Sequence, residues 1–234
     1  MNEISLVTTT LWHGFSLLFH HGGGLVLDGQ TLLVADLHLG KGEALTREGH
    51  GMLPPYDSLS GLQALGNMVS DIDGLKRVIL LGDSFHRPGS IDRLDPHSLD
   101  LLADLQSKLH LHFVLGNHDH QVMHPMIRHQ SRSLMLGNLL LCHEPPKEQQ
   151  LFVCGHLHPV VRVRAKGRAF RRRAFLLSKT GIFCPAIGSY AGGLNMMDPA
   201  FEPWRDDKAK AVMTGPNKSI VINREHWIPD GQRR

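Results

Sequence analysis

The chain has 234 residues, 41% hydrophobic and 20% charged, with a net charge of +3 when its 17 histidines are neutral. That balance suits one large domain spanning residues 1–234 and argues against a disordered or fibrous polypeptide, and no apolar run approaches the ~18 residues of a membrane span. Three cysteines, Cys142, Cys154 and Cys184, show no C-x-x-C spacing; they argue against a disulfide framework or thiolate zinc site and read as small buried apolar residues.

The opening MNEISLVTTTLWHGF lacks the basic and apolar regions of a signal peptide, which predicts a cytoplasmic location. TLLVADLH reads as a buried strand running into Asp36 and His38, with Lys41 and Arg47 just beyond. DSLSGLQALGNMV places Leu59, Leu62, Leu65 and Met68 at helical spacing, with Asp57 or Ser58 as N-cap. RVILLGD is a second strand, ending at Asp83, and His86 follows it. HSLDLLADLQSKL is helical through Leu101, Leu102, Leu105 and Leu109, and LHFVLGNHD is a third strand delivering Asn117, His118 and Asp119. This alternation predicts an α/β protein. SLMLGNLLLCHE then reads as a hairpin turning at Gly137 and Asn138 and ending at His143, and LFVCGHLH as a strand that ends in His156 and His158. VVRVRAKGRAF continues as strand, DPAFEPWRDD as a loop, and KAVMTGPNKSIVIN as a closing hairpin.

Alternate residues of an extended strand point to one side, so His156 and His158 project together. For that pair alone, two solvated histidines are a better reading than two metal ligands. The set decides between them, because five apolar strands each terminate in carboxylate, amide or imidazole groups, and strand ends are where open α/β sheets place their sites. Asp36, His38, Asp83 and His158 suit one cation. Asp83, Asn117, His143 and His156 suit a second, with Asp83 bridging the two. Mixed nitrogen and oxygen ligation points to two divalent ions, manganese first, with iron or zinc as alternatives.

The succession D-x-H, GD, GNHD, a strand-end His and GHLH over residues 31–159 resembles the calcineurin-like metallophosphoesterases. Within that superfamily, LLVADLHLGKGEAL, LPPYD, GHLHPVVRV and CPAIGSYAGGLNM are similar to the bacterial DNA-ligase-associated endonucleases, which extends the likeness to about residue 197. The resemblance implies a four-layer αββα sandwich with a dinuclear metal centre at the strand C-terminal ends. It also implies phosphodiester hydrolysis by in-line attack of a metal-bridging hydroxide, a DNA endonuclease role in repair, and association with a DNA ligase or helicase. His118 would then protonate the leaving oxygen or stabilise its developing charge, with Asp119 or another nearby carboxylate orienting it. Two positions depart from the pattern: GDSFH has His86 where GDxxD has its second Asp, and Ile187 stands where the endonucleases usually carry an aromatic residue.

For the substrate, Lys41, Arg47 and His86 either touch phosphate oxygens or are solvated. RVRAKGRAFRRR, residues 162–173, contributes +7 to a chain of net +3, leaving −4 elsewhere. In a strand, Arg162, Arg164 and Lys166 share one face just beyond His158, a row suited to a polynucleotide backbone or to a solvated edge hairpin guarded by charge. The glycines of PAIGSYAGGLN allow either a close backbone approach to substrate or a tight bend. The expected function is therefore a metal-dependent phosphodiesterase acting on DNA or another nucleic acid. A small-molecule phosphodiesterase acting on cyclic or dinucleotide substrates, a phosphomonoesterase and a non-catalytic module of the same fold are the alternatives.

Overall fold

A computed structural model describes residues 9–49 and 56–231. The first eight residues, and residues 53–55 of the LPPYD stretch, lie outside the described part.

The first sheet begins as an antiparallel meander of β1 (Thr10–Trp12), β2 (Phe15–Phe19), β3 (Leu25–Leu27) and β4 (Thr31–Val34). It continues in parallel through β5 (Arg77–Leu81), β6 (His110–Val114) and β7 (Gln130–Ser131), in spatial order β1 to β7. The crossovers carry the helices α1 (Lys41–Arg47), α2 (Asp57–Ser70) and α3 (Pro96–Lys108). The strands β4 and β5 are apolar almost throughout because the sheet is covered on both faces.

The second sheet opens with the hairpin of β8 (Ser133–Leu136) and β9 (Leu139–Cys142), turning at Gly137 with φ 59°. To this are added β10 (Leu151–Cys154), β11 (Pro159–Ala165), β12 (Arg168–Leu177), β13 (Gly181–Phe183) and β14 (Leu194–Asn195), in spatial order β14-β11-β12-β13-β10-β9-β8. The closing hairpin, β15 (Lys210–Met213) and β16 (Ile220–Asn223), joins along β12. The long strand β12 changes partner midway: residues 168–173 pair with β11, whereas residues 174–177 pair with β15.

Strand alternation builds the layers. Leu32, Val34, Val78 and Leu80 face α2 and α3, packing on Leu62, Leu65, Met68, Leu102 and Leu105. Leu33, Ile79 and Leu81 point the other way and meet Leu139, Leu141, Phe175, Ile182 and Val212 of the second sheet. On the far side of that sheet, Phe152, Leu176 and Phe183 are covered by Met196, Phe201 and Trp227. This is the expected four-layer sandwich, its fourth layer formed by a 3₁₀ helix, Pro199–Trp204, and adjoining segments. The three cysteines are buried and free. Among the described residues no helix is long and apolar enough to cross a membrane.

Two local expectations are corrected. Asp57 and Ser58 do not cap α2, whose N-cap position is Tyr56. Their side chains instead accept N–H groups of the preceding loop and helix, Asp57 from Gly42 at 2.9 Å and Ser58 from Gly40 at 2.8 Å, which ties α1 to α2. DPAFEPWRDD is more than loop, because Asp198 accepts the Ala200 N–H at 2.9 Å, Pro199 occupies the first turn, and Phe201 is fully buried beneath it.

Phe175 is fully buried between the two sheets. Replacing it by Ala should destabilise the protein by about 3–5 kcal/mol, read from the shift of the denaturant midpoint at unchanged slope.

Candidate metal centre

The parallel strands β4, β5 and β6 are in register and end at one edge of their sheet, delivering Asp36 and His38, Asp83, and Asn117 with His118 and Asp119. The second sheet brings His143 from the end of β9, and His156 and His158 from the link between β10 and β11. The backbone there is unusual. Asp36, His38, Asp83, His156 and His158 all have positive φ, between 45° and 68°, and they are five of the eight such non-glycine residues among those described. Each costs about 1–3 kcal/mol and persists because its surroundings impose it. His156 and His158 thus reach one side from a left-handed turn, and the extended-strand reason for their shared direction is corrected. Crowding is severe as well: a Cβ on Gly82 would lie 2.2 Å from the His143 ring, and one on Gly155 would lie 2.6 Å from Asp36.

Hydrogen bonds fix which ring nitrogens face inward. Carbonyl oxygens only accept, so His143 donates from Nδ1 to Leu81 (3.0 Å) and His158 donates from Nδ1 to Gly192 (3.2 Å). The inward Nε2 of His143 lies 3.0 Å from Asn117 Oδ1, 3.2 Å from His156 Nδ1 and 3.3 Å from Asp83 Oδ2. That of His158 lies 3.2 Å from Asp36 Oδ1 and 3.4 Å from His38 Nε2. Asp36 Oδ1 is buried without any hydrogen-bond donor. Acceptor atoms so arranged repel one another unless a positive charge sits among them. Their spacings match the edges of a coordination polyhedron with ~2.0–2.1 Å bonds, and the donor set fits divalent cations. Asp83 lies between the two groups, its Oδ2 3.3 Å from His143 and 4.0 Å from His38.

The metal-free charge balance agrees. Burial disfavours a charged His143, but the Asp83 and Asp36 carboxylates outweigh it and push the imidazole up to about 9. The two carboxylates thus favour positive charge at this ring. Burial lowers His38 to about 3 against the pull of Asp83, so this ring is already neutral. Asp83 itself is held down at about 2, because its contacts with His143, His118 and His38 outweigh burial.

The remaining expected residues divide. His118 donates from Nδ1 to the His86 carbonyl at 3.1 Å, stacks on the His86 ring at 5.3 Å, and turns Nε2 to within 4.0 Å of Asp83. The carboxylate of Asp119 does not orient it, a correction to the expectation. It accepts the N–H groups of Gly116, Ser84 and Phe85, clamping the loops after β5 and β6 together, and burial raises its pKa against these bonds. Burial lowers the pKa of Lys41, with Asp83 and Asp36 acting to raise it. His86 is buried, forming a trio with His38 and His118. Arg47 is exposed and paired with Glu43 along α1. Arg162 is tied to the Pro229 carbonyl at 2.6 Å, whereas Arg164 and Lys166 are exposed. Beside Asn117 and His143 opens a cavity of about 510 Å³ that also meets His120, Arg132 and Glu144. The orienting carbonyls of Leu81, Gly192 and His86 carried no sequence signal, because a backbone oxygen has no residue identity.

No family model and no curated protein matches the chain. Among solved structures, Pseudomonas putida nuclease MPE superposes with a TM-score of 0.67, covering 94% of this chain and 100% of that one at 23% identity. The likeness is one of fold: the two chains share the two-sheet α/β sandwich over nearly their whole lengths. A conserved Streptococcus pneumoniae TIGR4 protein described as a predicted phosphoesterase aligns over 86% of this chain and 92% of its own at 16% identity, with a TM-score of 0.32, too low to carry an argument.

Because His143 keeps its second proton until about pH 9, a cation binding at pH 7–8 must displace it, and metal affinity should fall as the pH falls. Calorimetric Mn²⁺ titration in buffers of different ionisation enthalpy should report release of about one proton. Asp83→Ala should remove metal binding and proton release together in a folded protein, and elemental analysis showing two metals retained would defeat the assignment.

Proposed function

We propose that the protein is a divalent-metal-dependent phosphodiesterase that cleaves nucleic acid, DNA foremost, within the strand. The observation that carries this reading is the convergence of acceptor atoms from Asp36, His38, Asp83, Asn117, His143, His156 and His158 at one edge of the sandwich. They would hold two cations that share Asp83, manganese foremost with iron or zinc as alternatives. Two such ions, when bound, polarise phosphoryl oxygens and bring the pKa of water towards neutrality.

The chain's own residues supply the rest. His118, its ring held by the His86 carbonyl, donates a proton from Nε2 to the leaving oxygen. Asp119 holds the two loops that present Asp83 and Asn117 at a fixed separation. Lys41 and His86 flank the position of the phosphate. A polynucleotide substrate is supported by the exposed cations Arg164 and Lys166 on the β11–β12 hairpin that leads away from His158. The word nuclease in the description of the Pseudomonas putida protein supports it as well. A role in repair and an association with a DNA ligase or helicase rest on the sequence resemblance.

His118→Ala should lower turnover by ~10²–10⁴ while retaining metal, and the loss should shrink for a diester with a good leaving group. Equal losses for good and poor leaving groups would remove the acid role. Replacing Arg164 and Lys166 together by Gln should flatten the salt dependence of DNA binding by about one and a half units, at ~0.7–0.9 per phosphate contact. An unchanged slope in a folded, active variant would return the hairpin to the solvated edge and favour a small diester as substrate.

A further inference from the structure

Behind His158, between β12 and residues 191–193, lies a cavity of about 360 Å³ whose walls include Val160, Arg171, Arg173, Gly192 and Thr214. The β11–β12 register pairs Val160 with Arg173 and Arg162 with Arg171, so these four side chains share one face of the hairpin. Arg171 is already neutralised, its Nε lying 3.1 Å from Asp230 while Nη2 donates to the Gly193 carbonyl. Arg173 is different. It is half-buried, and its guanidinium donates to the carbonyls of Ile187 at 3.1 Å and Gly188 at 2.6 Å. No carboxylate pairs with it among the described residues, and burial lowers its pKa. Two neutral carbonyls do not balance a desolvated cation, and they leave N–H donors over from its fork of five. The cavity is also wired to the metal centre, because Gly192 both lines it and accepts the Nδ1 proton of His158.

We infer that this cavity is a second phosphate subsite, in which Arg173 takes the internucleotide phosphate next to the one at the metal centre. The assignment rests on the phosphodiesterase reading above. It makes a polynucleotide, and not an isolated diester, the substrate the site is shaped for. A guanidinium meets phosphate through paired N–H bonds, and the remaining donors of Arg173 provide them. Carbonyl contacts with residues 187 and 188 hold the fork in place before substrate arrives.

The test uses Mn²⁺-loaded protein and short oligodeoxynucleotides carrying one uncharged methylphosphonate immediately on either side of the cleaved linkage. A nucleoside aryl phosphodiester, which has no neighbouring phosphate, is the reference. In the wild type, the methylphosphonate on one side should raise KM by about tenfold to a hundredfold, the range of a charge-assisted hydrogen bond. Arg173→Gln should raise KM for the all-phosphate oligonucleotide by a similar factor, at least about tenfold more than for the aryl diester. It should also become indifferent to the methylphosphonate. If the variant does not fold, the wild-type series still decides: equal KM with the neutral linkage on either side and with none overturns the subsite. An Arg173→Gln protein that keeps the full methylphosphonate penalty overturns it too. A wild type that hydrolyses neither oligonucleotide nor aryl diester overturns the phosphodiesterase reading itself, and the subsite falls with it.

Discussion

Mutual repulsion among acceptor atoms is the constraint around which this molecule is arranged. Carboxylate, amide and imidazole groups from both sheets are pressed to within 3.0–3.4 Å of one another. The protein gains nothing from that crowding on its own account. With the two ring protons committed to the carbonyls of Leu81 and Gly192, the only relief is positive charge in the middle, a proton on His143 or metal ions in its place. The sandwich supplies the force that keeps the groups together. Leu33, Ile79 and Leu81 pack against Leu139, Leu141 and Phe175, so neither sheet can slide away without exposing this layer.

Strain is concentrated at the same edge. Asp36, His38, Asp83, His156 and His158 all hold left-handed backbone, although asparagine or glycine would sit there more comfortably. These side chains meet one another at the sandwich edge only from this backbone, and the glycines beside them, such as Gly82 and Gly155, absorb the crowding. The clamp made by Asp119 belongs to the same economy. One buried carboxylate accepts three backbone N–H groups from two loops, so the loops after β5 and β6 behave as one body.

Much of this was readable from the chain. Apolar strands ending in Asp, Asn or His stand out because strand periodicity and metal-ligand chemistry are both local signals, and Gly137 and Asn138 mark their hairpin by turn chemistry alone. Other features depend on tertiary contacts. Asp57 looks like an N-cap, but Gly42 comes within reach only in the folded molecule and draws its carboxylate inward. Asp119 follows His118 so closely that a pairing suggests itself, yet the folded loops offer it three N–H groups and offer His118 a carbonyl. The +7 run reads as one row of cations, whereas Arg162 is tied to the Pro229 carbonyl and Arg171 to Asp230 and the Gly193 carbonyl. Which arginines remain available is decided by chain segments distant in sequence.

The partner change within β12 divides one strand between two regimes of evolution. Residues 174–177 pair with β15, the last two also with β13, and can vary only with the core, while the hairpin end of β12 from Arg168 pairs in the ladder with β11 alone and follows an open turn at Lys166 and Gly167. Lineages can therefore lengthen, shorten or recharge the hairpin tip without renegotiating the hydrophobic layers or the seven acceptor side chains. The arm's tip can change its length and charge while the cluster at the sandwich edge keeps its geometry.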